Sequence, residues 1–107
     1  MLPKNLTMHF TRNMSKIVII ETPKAPSPAA PYSQALKFNK LVFVSGQVPL
    51  TAENMLVEGS MTDKAEQVVQ NVKNILEASN SDLKHVLKAT VFLTDMKYFS
   101  EFNAVYN

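Results

Sequence analysis

At 107 residues, 46% of them apolar and none of them cysteine, the chain has room for one domain and excludes a disulfide framework, a thiol nucleophile and any thiolate metal site. The net charge of +2 is set by the start: Lys4, Arg12 and Lys16 precede the first acid, Glu21, and the remainder balances eight lysines against nine acids. A body so near neutrality gives little electrostatic reason to expect nucleic-acid binding, which needs a clustered basic face, and no run approaches the ~20 apolar residues of a membrane span.

Leu2, Leu6 and Phe10 recur at four-residue spacing within the acid-free start, the pattern of a mitochondrial presequence. A single arginine, Pro3 and a further methionine at Met14 fit an unstructured tail equally well. Residues 1–15 are therefore set apart as tail or presequence and residues 16–107 as the domain, with mitochondrial matrix or cytoplasm as its place. The β-branched run Ile17-Val18-Ile19-Ile20 predicts a first strand over 16–20. Pro23, Pro26, Pro28 and Pro31 then exclude helix and sheet interior, which leaves a stiff, extended surface connector.

Ser33 to Phe38 and Leu41 to Ser45 predict two strands joined by a tight turn at Asn39-Lys40, a hairpin. Gly46 ends the second strand, Pro49 prevents its continuation as a central strand, and Thr51 to Gly59 reads as a loop. Ala65, Val68, Val69, Val72, Ile75 and Leu76 fall on one helical face, with Ser60 and Asp63 in capping-box spacing and Ser79-Asn80-Ser81 as terminator. Leu83, Val86 and Leu87 predict a short helical turn capped by Ser81, and Lys88 to Thr94 a fourth strand. Asp95 suits the cap of a second helix whose inner face carries Phe99, Phe102, Val105 and Tyr106. Three strands, a helix, a strand and a helix make an α+β domain with its helices on one face of the sheet.

The familiar catalytic constellations are missing. Gly46 and Gly59 are the only glycines, so there is no phosphate-binding loop; His9 and His85 lie far apart, and no serine sits in a nucleophile elbow. His85 reads as a surface residue on a short turn. No cluster of ligands offers a metal site.

Four segments carry a resemblance instead. Ala30-Pro31-Tyr32-Ser33-Gln34-Ala35, Val42-Phe43-Val44-Ser45-Gly46-Gln47-Val48-Pro49, the helix from Ala65 to Leu76, and Val91 through Tyr106 resemble, in order, the signatures of the RidA family of reactive-intermediate imine deaminases, with fungal mitochondrial and cytosolic members nearest in character. The resemblance implies a chorismate-mutase-like sheet packed by two helices, a homotrimer with clefts between neighbours, and no metal or organic cofactor. It also implies hydrolysis of 2-iminopropanoate and 2-iminobutanoate to 2-keto acids and ammonia. Tyr32, Gly46 and Asn103 match the family's substrate-binding positions. Against each stands a plainer role: a ring packed under the connector for Tyr32, a tight strand end for Gly46, a helix hydrogen bond for Asn103. The family continues with a Pro-Ala-Arg-Ser strand, whose arginine clamps the substrate carboxylate, and a last strand with a glutamate that positions water. This sequence stops at Asn107 first, and its one arginine, Arg12, matches nothing in the family. The expectation is a C-terminally truncated member with an impaired site and no catalytic residue of its own. The alternative is a non-catalytic trimer of the ligand-binding, chaperone-like or translation-inhibitor kind.

Overall fold

The structure, a computed structural model, describes residues 17–107. The tail or presequence expected over residues 1–15, with Arg12, lies outside them. Three antiparallel strands in the order β1 (Val18–Ile20), β2 (Ala35–Phe38) and β3 (Leu41–Val44) form the sheet. Helix α1 (Met61–Ala78) covers one side of it, and a shorter helix α2 (Phe99–Tyr106) packs on α1.

The register follows from side-chain alternation. Ile20, Ala35 and Val44 stand in one cross-strand row, and with Ile75 of α1 and Ala25 of the connector they make the core. The next row, Ile19, Leu36 and Phe43, must therefore point to the opposite face, and all three are exposed. Asn39 turns the hairpin with φ 54, a conformation that asparagine tolerates better than most residues.

The predicted capping box is present. Ser60 Oγ accepts from the Asp63 backbone N–H at 3.1 Å, and Asp63 Oδ2 accepts from the Ser60 N–H at 3.2 Å, together about 1 kcal/mol of helix stability. Gly59 just before it takes φ 157, which strains other residues, and a Cβ there would stand 2.6 Å from Asp63 Oδ2 and displace the capping carboxylate. At the other end Ser79 caps the helix and Asn80 takes the left-handed conformation, φ 61, that turns the chain away. Lys37 reaches from β2 to this end and donates to the Ser79 carbonyl at 2.9 Å, where the helix dipole favours a cation.

Three expectations need correction. Lys88 to Thr94 is not a strand here: among the described residues nothing pairs with it, and Leu87 and Phe92 are 87% and 91% exposed. Its β-branched and aromatic content is real, but a ladder requires a neighbour as well as propensity. The turn at Leu83–His85 is capped by Asp82, whose carboxylate accepts from the Lys84 N–H at 3.0 Å, not by Ser81. Asp95 caps a 3-10 turn, Met96–Tyr98, that feeds directly into α2, and of the expected inner face only Phe102 and Val105 are half-buried while Phe99 and Tyr106 remain exposed. The loop from Thr51 to Gly59 holds a small ordered turn, with Leu50 bridged to Leu56 and Thr51 Oγ1 accepting from the Glu53 and Met55 N–H groups. No helix among the described residues is long and apolar enough to cross a membrane.

Candidate functional site

Tyr32 ends the proline-rich connector and Gly46 follows β3, fourteen positions apart in sequence. The hairpin register brings their neighbourhoods together. Beyond the last paired residues, Ala35 and Val44, the Ser45 N–H donates to the Gln34 carbonyl at 2.9 Å and the Ser45 hydroxyl donates to the Ser33 carbonyl. The residue after Tyr32 is thereby tied to the residue before Gly46. Tyr32 is 41% exposed, and its N–H donates to Ala30 O at 2.7 Å. Among the described residues nothing lies within 4 Å of where a Gly46 Cβ would be, so no crowding among them demands glycine there. An accessible phenol and an uncovered stretch of backbone thus share one strip at the sheet's end.

Two buried carboxamides hold this strip in place, and neither was singled out from the sequence. Gln34, 3% exposed, accepts the Thr22 N–H at 2.7 Å and donates to the carbonyls of Thr22, Ala25 and Pro26 at 3.1, 3.2 and 2.9 Å. Asn71 of α1, wholly buried, donates to the Val48 and Leu50 carbonyls at 3.3 and 2.9 Å and accepts from Gln67 at 2.9 Å. The signal for Asn71 was available. It lies three residues after Val68 and four before Ile75, a polar residue on the apolar face. Gln34 had no such signal, because its partners are backbone groups eight to twelve positions away.

Asn103 sits apart. It is half-buried on α2, its carbonyl accepts from the Asn107 N–H at 3.0 Å, and among the described residues no hydrogen bond links its carboxamide to Tyr32 or Gly46. What fixes α2 is Glu101, whose Oε2 accepts from both the N–H and the hydroxyl of Thr62 at 2.9 Å and so caps the start of α1. The site residues therefore fall into a joined pair and a third on another element.

The charges do not supply acid–base chemistry. Asp82 is held below its ordinary value of 3.8, chiefly by the hydrogen bond from His85 Nδ1 at 2.7 Å, but this pair lies on the exposed turn after α1. Among the described residues no three His, Asp or Glu side chains group to hold a metal ion. An open depression of about 950 Å³ lies between the β1 edge, the hairpin turn and the end of α1, lined by Ile20, Lys37, Leu41 and Asn80 among others, and none of the three site residues borders it. The Tyr32–Gly46 strip can orient a small polar molecule. Among the described residues no histidine or carboxylate is hydrogen-bonded to its hydroxyls, and residues 17–107 contain no arginine to grip an anion bidentately.

Comparison with known proteins gives the fold its context. A profile of the family described as endoribonuclease L-PSP matches residues 22–107. Protein HMF1 of Saccharomyces cerevisiae is 61% identical over 82 residues, covering 77% of this chain and 64% of its own length. Protein MMF1, mitochondrial, of the same yeast is 55% identical over 95 residues, covering 89% of this chain and 66% of its own. The crystal structure of yeast Mmf1 superimposes with a TM-score of 0.82 at 57% identity, covering 84% of this chain and 72% of that one. Reactive Intermediate Deaminase A, chloroplastic, of Arabidopsis thaliana is 38% identical over 105 residues, 97% of this chain and 56% of its own. The chain thus spans about two thirds of the length of the two yeast relatives. With the profile matching residues 22–107 and relatives this similar in sequence and fold, the chain belongs to the RidA family, the one described as endoribonuclease L-PSP.

Proposed function

We propose that the Tyr32–Gly46 strip is one wall of a cleft for small 2-imino and 2-keto acids, and that the protein is built for imine deamination. The reaction adds water to the carbon of a protonated 2-iminopropanoate or 2-iminobutanoate, and the resulting carbinolamine expels ammonia to leave the 2-keto acid. Such a substrate is already electrophilic, so a site that orients it and the water needs no cofactor. The observation that carries this reading is the Ser33–Ser45 tie, which seats two separated signature segments beside one another with the phenol of Tyr32 exposed.

Asn103 is assigned to the opposite wall, supplied by a neighbouring copy. The exposed row Ile19, Leu36 and Phe43 supports such an assembly, a homotrimer closed through the sheet faces, because a contiguous apolar strip on water is costly to leave uncovered. The relative named as mitochondrial supports a place in mitochondria, with the cytoplasm as the alternative.

The absence of arginine from residues 17–107 favours one second reading, a non-catalytic ligand-binding or chaperone-like trimer. The endoribonuclease in the family's description finds little support in a body with eight lysines and nine acids. Titration of the labelled chain with 2-oxobutanoate, followed at backbone amides, tests the cleft. Shifts concentrated at Tyr32, Gly46 and Asn103 are expected. Shifts scattered elsewhere, or equal with a short RNA, would refute the assignment.

A further inference from the structure

We propose that Gln34 is the positioning residue of this cleft, a role that rests on the Tyr32–Gly46 reading above. Its carboxamide has one acceptor and two N–H donors, and all are used. The oxygen takes the Thr22 N–H, and the two donors are shared among the Thr22, Ala25 and Pro26 carbonyls. Its backbone meanwhile accepts from Ser45, next to Gly46. One buried residue therefore joins three segments: the connector that ends in Tyr32, the start of β2, and the exit of β3. Asn74 of α1 clamps the same connector from outside by donating to the Lys24 carbonyl at 2.8 Å.

The connector needs such a device. Its four prolines lack N–H groups, so it cannot be zipped into the sheet, and its carbonyls must find donors from side chains. A carboxylate at position 34 would confront three carbonyls with no proton to offer, and an apolar side chain would orphan them. Either change leaves the connector, and Tyr32 with it, without a fixed place relative to Gly46. Gln34 touches no ligand in this account; it acts through where Tyr32 and Gly46 stand.

The test uses the 15N-labelled 107-residue chain with Gln34→Met, Gln34→Asn, and Thr62→Ala as a control that loosens the distant α1–α2 contact. In Gln34→Met the Tyr32 and Gly46 amide resonances should move without ligand, and the Ser45 amide should exchange about tenfold faster. Shifts caused by 2-oxobutanoate at Tyr32 and Gly46 should fall by about half or more as the cleft loses pre-organisation. Gln34→Asn, which keeps the carboxamide one methylene short, should recover part of each effect, and Thr62→Ala should show neither. If Gln34→Met melts earlier but leaves those resonances and the keto-acid shifts unchanged, the residue is merely structural and the proposal is overturned. Should that variant not fold, Gln34→Asn decides by the same readouts. If the unsubstituted chain shows no keto-acid shifts at either residue, the cleft reading fails, while the ligand-free resonances still decide whether Gln34 sets their positions.

Discussion

Replacing Asn71 by leucine isolates the buried carboxamide that anchors the chain after β3. The two side chains share one branched outline, leucine being the bulkier, so no cavity opens and the change is chiefly one of hydrogen bonding. Asn71 donates to two carbonyls, but they are not equally dependent on it. Val48 O also accepts from the Leu50 N–H at 2.7 Å, whereas Leu50 O has no other partner among the described residues. Orphaning this part-buried carbonyl costs roughly 1–3 kcal/mol, and the Gln67 amide freed by the substitution can turn to water at little cost. A loss of about 2 kcal/mol follows, which for a domain of this size lowers the melting temperature by about 8–16 °C. Circular dichroism melts at one protein concentration measure it. A drop below about 2 °C would show that the loop from Gly46 to Leu50 is held by something other than Asn71.

Other outcomes follow from the same geometry. The Asp82 carboxylate is depressed in the folded chain, so its contact with His85 is present above the ordinary value of 3.8 and is lost as pH falls through a lower midpoint; a carboxyl 13C titration of Asp82 centred at or above 3.8 would contradict this. Asn80→Val forces a β-branched residue into the left-handed terminus of α1 and should cost about 1–2 kcal/mol in urea unfolding, while Asn80→Gly should be nearly neutral. Phe43→Lys places a charge in the exposed apolar row and should shift sedimentation toward the monomer; Leu56→Lys, equally exposed but on the loop, should not.

Local chemistry made much of the fold legible. The hairpin was readable because two apolar runs flank Asn39-Lys40, and α1 because its apolar face and Ser60–Asp63 box agree on one helix. Lys88 to Thr94 shows the limit of that reasoning. Its strand character is a property of the residues, but pairing belongs to a neighbour, and none is present among residues 17–107. The same distinction applies at the site. Tyr32 and Gly46 could be picked out by resemblance, yet their juxtaposition depends on the register that sets Ser45 against Ser33 and Gln34. The work of Gln34 was invisible because a glutamine in sequence does not announce which distant carbonyls it will satisfy.

Carboxylate recognition is the hinge of the functional account: an anionic imino acid needs a forked cation, and residues 17–107 hold none. The rate of keto-acid release from freshly generated 2-iminopropanoate, with the 107-residue chain as the only protein added, tests this most directly. A rate close to that of water alone is expected; vigorous, saturable turnover would refute the need for a forked cation.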